Sequence, residues 1–354
     1  MKIVHTSDLH IDSPLTSHLS ELRAQERRRE LIFNFERLIG RTRELGASVM
    51  IIAGDLFDKE RVSSRAKSAV LSAIQRAQDI VFLYLPGNHE RDALACEELP
   101  KNMKTFGRAW TYFETDELLF AGRSECAEGM FSELRSVKNK KTIAVMHGEP
   151  AARSGEGGKI GMSELSGTGV SYLALGHYHT YSKKSVGGCA VVYSGTPEGR
   201  GFDEAGEKGF SLIEYENGNL SDRFIPFAAR RLHDIGIDIS DAASTWELEN
   251  TVEKRLRDIP REDLVRVTLE GEHPTGLIKN VRGIAYRYSD EFYYFEIHDG
   301  SRVAISASDF RYDKTLKGEF VRLVMSDGGL SDTERKKIIA AGLAALAGEI
   351  AEEL

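Results

Sequence analysis

Five short polar motifs in this sequence carry the side chains that bind divalent cations most readily. They supply aspartate, asparagine and histidine but no thiolate, and they offer seven potential ligands: Asp8, His10, Asp55, Asn88, His147, His177 and His179. Oxygen and imidazole ligands suit Mn²⁺, Fe²⁺ or Zn²⁺ in a reactive site better than a structural zinc site, which would favour cysteine. One ion would use three or four ligands, so seven predict two ions that share a carboxylate. Two ions about 3.5–4 Å apart clamp a phosphoryl group and activate a water molecule, which predicts hydrolysis of a phosphoester.

The motifs stand where β-strands are predicted to end. In chain order they are D-x-H at 8–10, G-D-x-x-D at 54–58, G-N-H-E at 87–90, H-G at 147–148 and G-H-x-H at 176–179. In open α/β sheets, ligands bind beyond the carboxyl ends of the strands. In D-x-H and H-x-H the two polar side chains point to the same side, because a strand has a period of two residues. We therefore expect the motifs to converge on one cleft.

Each motif taken alone also has a purely structural explanation. Asp55 could cap a helix, and G-N-H-E could form a tight turn. The histidines of H-x-H could simply be hydrogen-bonded at a strand end. All these explanations would have to hold together, in order and each after an apolar run, so we favour the metal site. His5 is interpreted as a packed histidine beside that site.

The spacing of apolar residues predicts an α/β architecture. Short runs such as 49–53 and 80–84 suit strands buried on both faces. Long amphipathic stretches at 21–45 and 63–77 are typical of helices. After Gly122 the predicted strands come closer together, which indicates a second sheet packed on the first.

The character of the chain changes at Pro226. A strand at 235–239, a helix at 245–258 and a strand at 264–269 predict a small α/β module, and 331–354 is a strong helix former. We therefore divide the chain at 1–228, 229–300 and 301–354, the last part being largely helical.

Composition limits the functional classes. The net charge of −8 argues against autonomous tight binding to duplex DNA, although bound cations could supply local positive charge. Three isolated cysteines predict reduced thiols in a cytoplasmic protein. No run approaches 18 apolar residues and the chain starts with polar residues, so neither a membrane span nor a signal peptide is expected. The run Arg27-Arg28-Arg29 is interpreted as a solvated helix face, with phosphate contact as the alternative.

The order of the five motifs resembles the calcineurin-like metallophosphoesterase superfamily over about 1–227. The resemblance implies a four-layer α/β/β/α sandwich, in which two packed sheets are flanked by helices. It also implies that Asp8, His10, Asp55 and His179 hold one ion, while Asp55, Asn88, His147 and His177 hold the other. A hydroxide bridging the metals would attack phosphorus, His89 would protonate the leaving oxygen, and Asp58 would orient His89.

Two further segments, 193–202 and 207–209, are similar to the SbcD and YhaO type of bacterial nucleases, and the module from about Arg230 resembles their capping domain. This likeness implies a Mn²⁺-dependent DNA phosphodiesterase, an exonuclease with single-strand endonuclease activity left open, that works in DNA repair with an SbcC-like ATPase. Fe²⁺ or Zn²⁺ as the metal, and a homodimer, also stay open. The C-terminal helix would dock on the ATPase or pack on its own domain.

Two other functions are compatible with the sequence. The same two-metal chemistry could act on a small-molecule or protein phosphoester, which would not need the module after Pro226. A scaffold that has lost activity is the third interpretation, and the complete ligand set argues against it.

Overall fold

The computed structural model describes residues 1–15, 19–59, 62–87, 90, 93–135, 137, 140–274, 276–304 and 310–347. The chain forms two compact units, Met1–Leu232 and His233–Leu354. The finer division at 228 and 300 stays a prediction.

The first unit contains two helices, three short 3₁₀ turns and the first fourteen strands among its described residues. Their bounds are β1 (Lys2–Thr6), α1 (Glu21–Glu44), β2 (Val49–Ala53), α2 (Ser64–Arg76), β3 (Val81–Leu85), β4 (Met103–Thr105), β5 (Thr111–Glu114), β6 (Leu118–Gly122), a 3₁₀ turn (Met130–Glu133), β7 (Lys141–His147), β8 (Glu149–Ala151), β9 (Lys159–Gly161), a 3₁₀ turn (Met162–Leu165), β10 (Val170–Gly176), β11 (Ser182–Val186), β12 (Cys189–Tyr193), a 3₁₀ turn (Phe202–Glu204), β13 (Gly209–Glu216) and β14 (Asn219–Pro226).

Two six-stranded sheets form the framework of this unit. The first has the order β14-β13-β1-β2-β3-β4 and the second β11-β12-β10-β7-β6-β5. In the first sheet β1 to β4 are parallel, and in the second β6, β7, β10 and β12 are parallel. Parallel neighbours end at the same edge, so the segments that follow β1, β2, β7 and β10 are brought close together.

The apolar residues of the strands separate into two faces, as the period of two requires. Ile51 and Leu83 of the first sheet pack against Val145 and Ala174 of the second in one buried cluster. The opposite face of the first sheet packs against helices α1 and α2. The opposite face of the second sheet is covered by the 3₁₀ turns Met130–Glu133 and Met162–Leu165. The predicted α/β class with two packed sheets and flanking helical layers is confirmed.

Local capping explains where the first two helices begin. The side chain of Ser20 accepts a hydrogen bond from the backbone N–H of Arg23, and that of Ser63 accepts one from Ala66. These bonds satisfy donors that the first turn of a helix leaves unpaired. The predicted helices at 21–45 and 63–77 are therefore found almost to the residue.

The second unit is a smaller α/β structure. Its elements are β15 (Leu232–Asp238), α3 (Thr245–Leu256), β16 (Leu264–Glu270), β17 (Glu272–His273), α4 (Val281–Ser289), β18 (Tyr294–Asp299), β19 (Arg302–Val303), α5 (Leu316–Ser326) and α6 (Asp332–Ala347). The strands β15, β16 and β18 form one sheet, against which α3 and α4 pack. Helices α5 and α6 form a separate small apolar cluster. No helix among the described residues is long and apolar enough to cross a membrane.

A buried histidine in β1 is expected to make the stability of the first unit depend on pH. His5 is fully buried beside the hydroxyl of Tyr172, 3.0 Å away, and burial lowers its pKa to about 3. In the unfolded chain His5 binds a proton with a pKa near 6.5, whereas in the folded chain it stays neutral down to about pH 3. The contribution of neutral His5 to the free energy of unfolding is therefore fully present above pH 6.5 and is lost as the pH falls below it. Between about pH 7 and pH 5 we expect a loss of about 2 kcal/mol that His5→Gln does not show.

The measurement is urea unfolding in EDTA, followed by Trp110 fluorescence in a Trp246→Phe background, so that only the first unit reports. His298 is the matched control because its side chain is exposed. The variant His298→Gln should leave the pH dependence of the free energy of unfolding unchanged. An equal loss in wild type and His5→Gln would contradict the expectation.

Candidate metal centre

The loops after β1 and β2 are joined by backbone hydrogen bonds. The N–H groups of Asp8, His10 and Ile11 donate to the carbonyls of Gly54, Asp55 and Leu56 at 2.9–3.0 Å. The N–H of Asp58 returns a bond to the carbonyl of Ile11 at 3.1 Å. The first two motifs are therefore held as one piece.

Five of the seven predicted ligands converge at this edge of the two sheets. Potential ligand atoms of Asp8, His10 and His179 lie within 4.8 Å of one another, and so do those of Asp8, Asp55 and His147. One oxygen of Asp55, Oδ2, lies 3.8 Å from His10 Nε2 and 3.4 Å from His147 Nε2. On the other side, His179 Nε2 is 3.8 Å from Asp8 Oδ1 and 3.2 Å from His10 Nε2. This arrangement could hold two cations with carboxylates between them.

The orientation of His147 fits a cation ligand. Its Nδ1 donates to the carbonyl of Ala53 at 2.9 Å, so Nε2 faces Asp55. That Nε2 is buried and lies 3.4 Å from Asp55 Oδ2. Burial lowers the pKa of His147, but the carboxylates of Asp55 and Asp8 outweigh burial and raise it to about 9. The site therefore favours a positive charge at the position where a metal would bind.

The backbone is unusual at four of the predicted ligands. Asp8, His10, Asp55 and His177 have φ values of 53°, 45°, 51° and 106°, in the region that favours glycine. Strained residues of this kind cluster at functional sites. Two glycines permit the close approach of the loops, because a Cβ at Gly54 would collide with the His147 ring and a Cβ at Gly87 with Asp55.

The remaining predicted residues are placed differently. The His177 ring packs edge-on against His147 with 5.5 Å between ring centroids, and its backbone N–H donates to both oxygens of Asp8 at 3.1 and 3.0 Å. Burial and the nearby His147 lower the pKa of His177. Asn88 and His89 lie outside the described residues, so their assignments stay predictions.

Asp58 contacts partners that its predicted role did not include. Its Oδ1 lies 3.3 Å from His10 Nδ1 and 2.9 Å from Arg200 Nη1. Burial raises the pKa of Asp58, but the hydrogen bond with His10 and the charge of Arg200 outweigh it and bring the pKa below its usual value. Its predicted orientation of His89 stays a prediction.

Glu204, for which no role was predicted, orients one predicted ligand. Its Oε1 accepts a hydrogen bond from His179 Nδ1 at 2.6 Å and one from Arg200 Nη2 at 2.8 Å. Burial raises the pKa of Glu204, but the bonds with His179 and Arg200 outweigh burial and hold the pKa far below its usual value. The carboxylate is therefore ionised, and it fixes the tautomer that leaves His179 Nε2 facing Asp8.

Glu90, the last residue of G-N-H-E, also lacked an assigned role. It is fully buried, and its two carboxyl oxygens accept hydrogen bonds from the N–H groups of Leu56 and Phe57 at 2.7 and 2.6 Å. It therefore fixes the turn that presents Asp55. A glutamate directly after a predicted ligand and general acid was the available signal in the sequence.

The prediction of a solvated helix face at 27–29 was wrong for Arg27, whereas Arg29 is exposed. Arg27 is only 1% exposed, and it donates to Glu198 at 3.0 Å and to the carbonyl of Gly199 at 2.8 Å. Glu198 also accepts a bond from Asn34 at 2.9 Å. The buried pair anchors the loop that carries Arg200, and its position could not be inferred from a helical pattern of charges.

Comparison with known protein families agrees with this geometry. Residues 1–181, which carry all five motifs, match the family described as calcineurin-like phosphoesterase. The chain belongs to the calcineurin-like phosphoesterase family. The protein is thus a phosphoester hydrolase. Its aspartates and histidines form a candidate binuclear metal centre.

Several relatives of this phosphoesterase extend beyond the family domain. The metallophosphoesterase YhaO of Bacillus subtilis, described as uncharacterized, is 26% identical over 312 residues, which cover 80% of this chain and 75% of YhaO. The DNA double-strand break repair protein Mre11 of Methanopyrus kandleri is 24% identical, covering 62% of this chain and 55% of that protein. Mre11 of Haloferax volcanii is 24% identical, covering 77% and 62% respectively. The chain spans less than two thirds of either Mre11 protein.

Removing the charge of Glu204 is expected to weaken one metal site of this phosphoesterase. Glu204→Gln should lower the Mn²⁺ affinity of one of the two sites by about 10–100-fold, because residues that orient a ligand contribute on that scale. Isothermal titration of the metal-free protein with Mn²⁺ measures both sites directly. Glu207→Gln is the matched control, since Glu207 pairs with Arg231 on the surface. Unchanged affinities in Glu204→Gln would show that this contact is dispensable.

Proposed function

We propose that this phosphoesterase is a two-metal DNA phosphodiesterase that acts in DNA repair. The observation that carries the two-metal part is the position of Asp55, whose Oδ2 lies between His10 Nε2 and His147 Nε2 at 3.8 and 3.4 Å. A carboxylate in that position is suited to bridge two cations.

The proposed ligand sets are those implied by the resemblance. Asp8, His10, Asp55 and His179 would hold one ion, and Asp55, Asn88, His147 and His177 the other. Two divalent ions bound there would neutralise phosphate charge and lower the pKa of a water molecule. Mn²⁺ is the proposed metal because the family resemblance implies it, and the oxygen and imidazole ligands also suit Fe²⁺ or Zn²⁺.

The protein's own residues would position and protonate the substrate. His89 is proposed to donate a proton to the leaving oxygen, as a general acid does. Glu204 and Glu90 would keep His179 and the Asp55 turn in place through the contacts described above. These contacts do not depend on the substrate, so the site is organised before binding.

The choice of DNA as substrate rests on the relatives. Two relatives named as DNA double-strand break repair proteins are 24% identical to this chain. The match to the Haloferax volcanii protein covers 77% of the chain, which is more than the first unit alone, so the likeness includes part of the second unit. A polymeric substrate gives that unit a role that a small phosphoester would not require.

The partner and the cellular setting are proposed with the activity. An SbcC-like ATPase would hold the DNA, which fits a chain whose own net charge is −8. A cytoplasmic location, exonuclease action and assembly as a homodimer belong to the same proposal.

The test is a digest of end-labelled single- and double-stranded DNA with Mn²⁺, beside bis-p-nitrophenyl phosphate. Cleavage of both DNA and the small ester is the expected result. Hydrolysis of the small ester with intact DNA at every metal tried would overturn the proposal and favour a small-molecule or protein phosphoester as substrate.

A further inference from the structure

We propose that Tyr178 forms a stacking platform for an unpaired nucleobase next to the metal centre. This inference rests on the proposed DNA phosphodiesterase function and adds a binding subsite to it. The subsite is the groove lined by His177, Tyr178, His179, Thr180, Ser182, Asp203 and Glu204.

Tyr178 lies between the predicted ligands His177 and His179, and no role was predicted for it. Tyr178 is 42% exposed, whereas Tyr193, against which it packs, is buried. The preceding residue, His177, has a φ of 106°, which residues with a side chain rarely adopt. The strained turn therefore presents an aromatic ring at the rim of the metal site, within one residue of His177 and His179.

The ring is supported from within the protein. Tyr178 packs against Tyr193 with 4.8 Å between ring centroids and against His177 with 5.4 Å, each at a tilt of 34°. Tyr193 is itself fixed, because its hydroxyl donates to the carbonyl of Gly148 at 2.9 Å. A ring held in this way loses little conformational entropy when a ligand stacks on it.

The groove beside Tyr178 has room for a base, and its lining contains no basic side chain. Its volume is about 460 Å³, within the range of about 300–1,000 Å³ that is usual for ligand pockets. Two carboxylates, Asp203 and Glu204, line it, and no lysine or arginine is among its described lining residues. Glu204 is paired with Arg200 at 2.8 Å, so the lining side chains offer no unpaired cation to a phosphate, whereas an uncharged base needs none.

The chemistry of the lining residues suits the edge of a base. The hydroxyls of Thr180 and Ser182 can donate or accept hydrogen bonds, and the carboxylate of Asp203 can accept from an amino group. Stacking on an aromatic ring tolerates any base, because each base has a π-face. The subsite would therefore favour single-stranded DNA, in which bases are free to leave the stack, with little preference for sequence.

The experiment compares two single-stranded oligonucleotides of equal length, one natural and one with tetrahydrofuran abasic residues through its central segment. Cleavage within that segment is measured with Mn²⁺ as kcat/KM for wild type, Tyr178→Ala, Tyr178→Phe and Phe33→Ala. Phe33 is the matched control, since it is an exposed aromatic residue on α1. The Mn²⁺ content of each variant is measured in parallel.

Wild type should cleave the natural segment about tenfold faster than the abasic one, because stacking of a base on an aromatic ring contributes on that scale. Tyr178→Ala should lose this preference and keep its Mn²⁺, while Tyr178→Phe and Phe33→Ala should behave as wild type. A preference that persists in Tyr178→Ala would overturn the inference and leave the DNA phosphodiesterase proposal standing. Hydrolysis of bis-p-nitrophenyl phosphate by a wild type that cuts neither oligonucleotide would overturn both.

Discussion

Replacing Asp55 by asparagine is expected to reduce phosphodiesterase activity by at least about 10³-fold, since the metals contribute several kcal/mol to transition-state stabilisation. The amide is close to the carboxylate in size, so the loop bonds of Leu56 and Phe57 with Glu90 should survive. What is lost is the negative charge between His10 and His147. Hydrolysis of DNA and of bis-p-nitrophenyl phosphate should fall together, because both need the same site.

A metal-binding measurement separates this result from unfolding. Wild type should gain thermal stability when Mn²⁺ is added, since the ion binds only the folded state, and Asp55→Asn should gain much less. Asp79→Asn provides a matched exchange of the same residue types at a surface ion pair with Arg43, and should behave as wild type. Full activity in Asp55→Asn would refute the bridging role.

Replacing His89 by alanine is expected to reduce kcat on DNA by about 10²–10⁴-fold, the usual contribution of a general acid. Both metals should remain bound, because His89 is outside the proposed ligand sets. The leaving oxygen of DNA needs a proton, whereas p-nitrophenolate leaves without one. Hydrolysis of bis-p-nitrophenyl phosphate should therefore be nearly unaffected, and an equal loss on both substrates would refute the role of His89 as acid.

The variant Asp58→Asn tests how Asp58 acts. Its carboxylate contacts the predicted ligand His10 as well as Arg200, so we expect the Mn²⁺ affinity of the variant to fall by about 10–100-fold. If Asp58 orients His89 instead, as the resemblance implies, the variant should keep its metals and lose activity on DNA but not on the small ester. The two results are distinguishable in one set of measurements.

Much of the site could be predicted because strand geometry is regular. Parallel strands end at one edge of a sheet, so motifs that follow apolar runs could be placed together. The strand period of two that was expected for D-x-H and H-x-H does not apply, because Asp8, His10 and His177 lie beyond β1 and β10 with positive φ. The periods of the apolar residues were enough to anticipate the two sheets and the helices at 21–45 and 63–77.

The supporting residues could not be predicted, because they reach the site from irregular segments. Glu204 lies 25 positions after His179, in a 3₁₀ turn that has no period to identify its partner. Arg27 has the composition of an exposed helix face, and only the distant Glu198 explains its burial. Tertiary contacts of this kind are set by how loops fold back on the sheets, which local sequence does not determine.

The left-handed backbone at four predicted ligands opposes metal binding to stability. These residues are Asp8, His10, Asp55 and His177. Each such conformation costs of order 1–3 kcal/mol, which the rest of the first unit must offset whether or not a cation is bound. A glycine at any of these four positions would relax the backbone while deleting a potential ligand. At these four positions, a relaxed backbone and a side chain that can bind metal are therefore mutually exclusive.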